Sequence, residues 1–231
     1  MAQMSTEILD LVFLAAGHGT RIGQELPKQF LELRGKPMLI HPLAVFEQIP
    51  EIGQKIIVHE PSQRDRLTAL LTQYGIRNWV LAAGGNSRQE SVRRGIERVQ
   101  TARVVVHNAV VALVTRKLIE NVIGVDCDCV TTGTELQDNL VRGGEFALEP
   151  VDRKELRIIN SPQSFRTAVL RECHARALRE GVHTNSDCEL MLKYHRQVRL
   201  VPGTPRNFKI TTRLDVALAE TLLEHPELCP D

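Results

Sequence analysis

Ile8-Leu-Asp-Leu-Val-Phe-Leu14 runs directly into Ala15-Ala-Gly-His-Gly-Thr-Arg21, and Pro27-Lys28-Gln29 follows a few residues later. The first segment is a short apolar run of the kind that is buried on both faces of a parallel sheet. In the second, Gly17 and Gly19 permit a tight turn in which backbone N–H groups can face an anion without Cβ atoms in the way. A glycine loop leaving the carboxyl end of a first strand lies where open α/β sheets bind their ligands. Arg21 and Lys28 add fixed positive charge to it.

The loop departs from both common phosphate fingerprints. A dinucleotide site needs G-x-G-x-x-G at the mouth of a helix, but here the third glycine, Gly23, is one position late and Glu25-Leu-Pro27 follows. No Gly-Lys-Ser/Thr stands at the spacing of a Walker A loop. A nicotinamide-dependent oxidoreductase is therefore disfavoured.

Further apolar runs at Lys55–His59, Trp79–Ala83, Arg103–His107 and Cys129–Thr132 alternate with segments of helical periodicity. That alternation predicts an α/β fold, a Rossmann-like, mostly parallel sheet with flanking helices. Leu67, Leu70, Leu71 and Tyr74 form one helical stripe. Capping boxes at Ser62-Gln-Arg-Asp65, Ser87-Arg-Gln-Glu90, Ser186-Asp-Cys-Glu189 and Thr212-Arg-Leu-Asp215 mark four helix starts. Residues 134–160 are polar, contain Gly143-Gly144 and Pro150, and are read as a projecting arm. No linker divides the chain, so residues 1–231 are read as a single domain including that arm.

The 231 residues are 42% hydrophobic, enough for a substantial core, and 29 basic residues against 28 acidic ones leave a formal charge of +1. A neutral field attracts neither nucleic acid nor a membrane surface. The five cysteines show no C-x-x-C spacing, and the eight histidines show neither H-x-x-x-H nor H-E-x-x-H, so no protein metal site is expected. Cys127-Asp-Cys129 alternates like a strand, with both thiols directed to the core. With Glu7 and Asp10 near the start and no long apolar run, the expected location is cytoplasmic.

Over roughly Val12 to Leu223 the chain resembles the 2-C-methyl-D-erythritol 4-phosphate cytidylyltransferases and the related ribitol 5-phosphate cytidylyltransferases. The matching stretches are Ala15-Ala-Gly-His-Gly-Thr-Arg21, Pro27-Lys-Gln-Phe30, Gly35-Lys-Pro37 with His41, Gly84-Gly-Asn-Ser-Arg88 with Ser91-Val92 and Gly95, Val106-His107, Pro162-Gln163 and Asn207-Phe-Lys-Ile-Thr211. The resemblance implies transfer of CMP from CTP to a sugar or polyol phosphate with release of pyrophosphate, catalysed mainly by positioning and charge stabilisation. It implies that Ala15, Ala16, Gly17 and Gly19 cradle the triphosphate, that Gly85, Asn86 and Ser91 read the cytosine, and that Arg21 and Lys28 steady the α-phosphate. It assigns the acceptor phosphate to Arg153 and Lys209, with Arg153 on an arm that crosses to the partner in a homodimer, and it implies Mg²⁺ on the triphosphate.

Two positions depart from the family signature His-Asp-Ala-x-Arg-Pro, because the chain reads His107-Asn-Ala-Val-Val-Ala112. Asn108 replaces the aspartate that helps hold Mg²⁺, and Val111 replaces a phosphate-binding arginine. The nucleotide half is thus near intact and the acceptor and metal half eroded. That pattern suits either a transferase with a changed acceptor, such as ribitol 5-phosphate or another alditol phosphate, or a degenerate relative serving as a nucleotide-binding or scaffolding subunit.

Overall fold

The computed structural model describes residues 7–17 and 27–230. Its strands and helices, in chain order, are β1 (Leu9–Ala15), β2 (Glu32–Leu33), β3 (Lys36–Pro37), α1 (Ile40–Phe46), β4 (Ile52–His59), α2 (Arg64–Gln73), β5 (Trp79–Ala83), α3 (Arg88–Ile96), β6 (Arg103–Asn108), α4 (Arg116–Ile123) and β7 (Cys129–Glu135). There follow β8 (Leu140–Gly143), β9 (Ala147–Val151), β10 (Arg157–Arg166), α5 (Thr167–Glu180), α6 (Asp187–Lys193), β11 (Val198–Pro202) and α7 (Arg213–Glu224). Seven strands form one sheet in the order β11-β7-β10-β6-β1-β4-β5. All neighbours are parallel except β10, which runs antiparallel to both β6 and β7.

Both faces of this sheet are covered, as continuous apolar strands require. Along β1 the side chains alternate: Leu9, Leu11 and Phe13 join the cluster with Leu43 and Phe46 of α1, Leu67 and Leu71 of α2, and Leu118 and Ile119 of α4. Val12 faces the opposite way, onto Val92 and Ile96 of α3, Leu170 and Cys173 of α5, and Leu190 and Met191 of α6. Each such fully buried side chain contributes about 1.5–3 kcal/mol. On α3 only a glycine fits at Gly95, where a Cβ would come within 2.6 Å of Val12 Cγ1 on β1. Helix α7 closes a third cluster in which Ala219 and Leu222 pack with Leu33, Met38 and Ile210.

Of the four expected capping boxes only Thr212–Asp215 closes reciprocally, while at Ser87 and Ser186 the N-cap bond forms and the Glu90 or Glu189 carboxylate takes the N–H of the preceding Asn86 or Asn185 instead. Ser87, Ser186 and Thr212 each accept the N–H of the residue three positions on. Ser62 does not: Pro61 opens a short 3-10 turn through Gln63, so Ser62 lies inside that turn and α2 begins at Arg64 without a side-chain cap. The paired reading of Cys127 and Cys129 is also corrected. The strand begins at Cys129, whose thiol joins the large cluster, whereas Cys127 precedes it and packs beside Val122, Val130 and Val201.

Within residues 134–160, β8 and β9 pair as an antiparallel hairpin that pairs with no other strand among the described residues. Its Val141 and Leu148 and the nearby Phe146 are 62%, 77% and 73% exposed, so no other described residue covers them. No helix among the described residues is long and apolar enough to cross a membrane.

Candidate active site

The carboxyl ends of β1, β5 and β6 open onto a cleft of about 240 Å³. It is lined by Ala15, Ala16 and Gly17 after β1, by Lys28 and Gln29, by residues 85–88 and Ser91, by residues 108–110 after β6, and by Lys209. The location follows from topology, because β4 and β6 flank β1 and the chain leaves the sheet in opposite directions around it.

The loop around the described end of β1 is anchored from both sides. The buried Gln29 donates its side-chain amide to the Ala15 carbonyl at 2.8 Å, which places Lys28 at the cleft. Across the cleft, Gly84 approaches so closely that a Cβ there would stand 2.5 Å from Ala16 Cβ and 3.3 Å from both the His59 carbonyl and Ser91 Oγ. At Gly17 a Cβ would meet no described atom within 4 Å. Gly19 and Arg21 lie outside the described residues.

The turn from Gly84 to Ser91 is held by its own side chains. Ser87 Oγ accepts the Glu90 N–H at 3.0 Å, and the Glu90 carboxylate accepts the Asn86 N–H at 2.8 Å. Arg94 then bridges the Glu90 carboxylate at 2.6 Å and the Gly84 carbonyl at 2.7 Å. The Asn86 N–H and the Arg94 guanidinium both hold the Glu90 carboxyl below the usual carboxylate range. Gly85 donates its N–H to Ser91 Oγ at 3.0 Å. That contact uses the amide proton that the sequence offers to a ligand and leaves the hydroxyl hydrogen of Ser91 to be donated.

On the third side, the buried His107 fixes the segment after β6. Its Nε2 lies 2.9 Å from the Val111 carbonyl, and its ring packs on Phe13 and Phe46 at centroid distances of 5.9 and 5.1 Å. Burial pushes the imidazole down to about 3 against the opposing effect of the Val111 carbonyl, so His107 is neutral and donates from Nε2. The Ile210 N–H donates to the Val110 carbonyl at 2.9 Å, tying the segment that carries Lys209 to this wall. That segment belongs to no strand. A polar network supports it: Asn108 donates its backbone N–H and side-chain amide to Ser161 Oγ at 3.1 and 3.3 Å, and Asn207 donates its amide to the Ser161 carbonyl at 2.8 Å.

Among the sequence-derived site residues, Ala15, Ala16, Gly17, Lys28, Gly85, Asn86, Ser91 and Lys209 all line one cleft. Arg153 does not: it is exposed at the base of the β8–β9 hairpin and donates to the Gln137 carbonyl. Val111 is fully buried. Sequence reasoning quoted Arg88 only as part of a motif and missed its position. It lines the cleft and pairs with the buried Asp187 at 2.8 Å. Among the described lining residues there are the cations Lys28, Arg88 and Lys209 and no carboxylate.

A mostly parallel α/β sheet with a cationic, glycine-rimmed cleft at its switch point is an arrangement used by enzymes that transfer phosphate groups of nucleotides. The profile of one such family, IspD: 2-C-methyl-D-erythritol 4-phosphate cytidylyltransferase, matches residues 9–225. The chain belongs to that cytidylyltransferase family. It is 34% identical to the 2-C-methyl-D-erythritol 4-phosphate cytidylyltransferase of Halalkalibacterium halodurans over 94% of this chain and 97% of that one. The Acidobacterium capsulatum protein of the same name is 32% identical over 90% and 94%. Among solved structures, the 2-C-methyl-D-erythritol 4-phosphate cytidylyltransferase of Thermus thermophilus superposes with a TM-score of 0.77 at 29% identity, covering 94% of this chain and 99% of that one. The 4-diphosphocytidyl-2C-methyl-D-erythritol synthase of Anaerococcus prevotii shares the fold with a TM-score of 0.85 at 22% identity, covering 96% and 100%.

Proposed function

We propose that this chain transfers CMP from CTP to 2-C-methyl-D-erythritol 4-phosphate and releases pyrophosphate. The observation that carries the reading is the convergence of Lys28, Lys209 and the Gly85–Ser91 turn on one cleft. An oxygen of the acceptor phosphate attacks the α-phosphorus of CTP. The bond from that phosphorus to the bridging oxygen breaks, and pyrophosphate leaves with the electron pair. Lys28, together with Arg21 by resemblance to the family, steadies the negative charge on the α-phosphate, while Lys209 holds the acceptor phosphate against the triphosphate it would otherwise repel.

Base selection follows from the turn. The Gly85 carbonyl is an acceptor for the exocyclic amine of cytosine and would oppose the carbonyl that uracil presents there. The Ser91 hydroxyl, already accepting from Gly85, can donate to a ring acceptor. Ala15, Ala16 and Gly17, with Gly19 by resemblance, leave room for the phosphates.

The resemblance also implies Mg²⁺, but the donor set does not fit a protein-held ion. The described cleft residues include no carboxylate, and Asn108 offers only a neutral amide oxygen. Magnesium favours anionic oxygens, so an ion on the triphosphate would find no carboxylate ligand among these residues. The same substitution favours a second reading, in which the chain binds CTP without turnover as a nucleotide-binding or scaffolding subunit.

The exposed apolar residues of the hairpin support a homodimer in which each arm lies against the partner, bringing Arg153 toward the other copy's acceptor site. We place this single-domain enzyme in the cytoplasm, with small phosphate esters rather than nucleic acid or membrane as its partners. The test is pyrophosphate release from CTP across methylerythritol, ribitol and glycerol phosphates. The methylerythritol ester is expected to give the highest kcat/KM; CTP binding without turnover on any of them would select the second reading.

A further inference from the structure

Asp187 opens α6 and is 1% exposed, yet α6 does not need it as a cap, because Ser186 already accepts the Glu189 N–H. Its carboxylate meets His174 Nε2 at 3.0 Å and Arg88 Nη2 at 2.8 Å. Burial pushes the Asp187 carboxyl up, but the Arg88 charge and the His174 contact pull it further down, below the usual carboxylate range, so it stays ionised. A buried charge is costly unless its partners are well placed, and an apolar residue would fill the same volume without that cost. The partner that reaches the cleft is Arg88, which follows directly on the Gly84–Ser87 turn.

The next residue is clasped by the same loop. Gln89 donates its amide to the Val182 carbonyl at 3.0 Å and accepts the Thr184 N–H at 2.9 Å. Two successive residues at the base of the turn are thus fastened, Arg88 to the first residue of α6 and Gln89 to the connection that precedes it. Hydrogen bonds weaken steeply with misalignment, whereas charge attraction to phosphates depends little on direction. Loosening the clasp should therefore erode base selection and spare phosphate affinity.

We propose that Asp187 is a positioning residue for the nucleotide site, holding the Gly85–Ser87 turn through Arg88 in the geometry that separates cytosine from uracil. This rests on the cytidylyltransferase reading of the cleft. The test is the affinity for CTP, UTP and pyrophosphate, by calorimetry, of the wild type, Asp187→Asn, Arg88→Met and the double variant. Asp187→Asn is expected to lower the preference for CTP over UTP about tenfold, the worth of one hydrogen bond, and to leave pyrophosphate affinity unchanged. In the Arg88→Met background the same change is expected to do nothing further.

Unchanged preference in Asp187→Asn, or an equal loss with and without Arg88, would overturn the proposal. Should the single variants fail to fold, the double variant carries neither charge; its expected result is the lowered preference, and wild-type preference there would overturn the proposal. If the wild type does not distinguish CTP from UTP, the cytidylyltransferase reading fails on its own account. Amide hydrogen exchange over residues 84–92 of the ligand-free protein then decides the clasp: faster exchange in Asp187→Asn supports it, and unchanged exchange refutes it.

Discussion

Replacing Gly84 with alanine probes how closely the two halves of the nucleotide cleft fit. The new methyl would lie 2.5 Å from Ala16 Cβ, and the His59 carbonyl and Ser91 Oγ, each at 3.3 Å, close two other directions. Carbon atoms pack at about 3.5–4.0 Å, so the β1 and β5 ends must separate by roughly 1 Å. Overpacking of this kind costs about 1–3 kcal/mol. At about 2–4 °C per kcal/mol for a chain of this size, Tm should fall by about 2–12 °C. The same separation moves Gly85 and Ser91 away from the phosphate loop, so KM for CTP should rise while KM for the acceptor stays. Gly17→Ala is the matched control, because its methyl meets no described atom within 4 Å and would face the cleft. It should raise KM for CTP with Tm unchanged. Thermal unfolding and steady-state pyrophosphate release read both variants; a Gly84→Ala protein with wild-type Tm and KM would refute the packing argument.

Three further outcomes are expected. Lys209→Met should lower kcat/KM for the acceptor about 100-fold, as loss of one preorganised cation does, and change the CTP dissociation constant less than about threefold; equal effects on both substrates would contradict its placement at the acceptor. Chelating Mg²⁺ with EDTA should weaken CTP binding about tenfold more in Asn108→Asp, where a hard anionic oxygen enters the cleft, than in the wild type, where the ion is held by the triphosphate alone; equal dependence in the two proteins would contradict this. His107 is about 3 when folded and near 6.5 when unfolded, so the unfolded chain binds the extra proton. Stability is then full above pH 6.5 and lost as pH falls toward 3, by up to ~5 kcal/mol. His107→Gln should flatten this acid limb in denaturant titrations, and an unaltered limb would assign it to other groups.

The strands that sequence made legible are those with apolar runs: β1, β4, β6 and β7, whose residues are mostly buried, and the edge strand β5, whose Trp79, Val80 and Leu81 are half-buried. β10 was hidden by Asn160-Ser161-Pro162-Gln163, whose polar side chains serve hydrogen-bonded roles inside the sheet: Gln163, for one, donates to Thr131 Oγ1 at 2.9 Å. β11 is an edge strand with Arg199 and Leu200 exposed, and so lacks an apolar signature. The glycine loop, Lys28, the Ser87 turn and Lys209 were readable because each sits in a compact motif. Asp187 was not, since its only link to the site is an ion pair between residues far apart in the chain, which no local pattern encodes. Ser62 shows the converse: a correct capping pattern was overridden by Pro61, which starts its own turn one residue earlier.

A cleft with Lys28 and Lys209 but Asn108 in place of a carboxylate should still join CTP to an acceptor phosphate. Phosphorus NMR of the protein mixed with CTP and 2-C-methyl-D-erythritol 4-phosphate tests it most directly. The expected result is the appearance of pyrophosphate and a diphosphate diester in equal amounts as both substrates disappear. Bound CTP that persists unchanged beside unconsumed methylerythritol phosphate would contradict it.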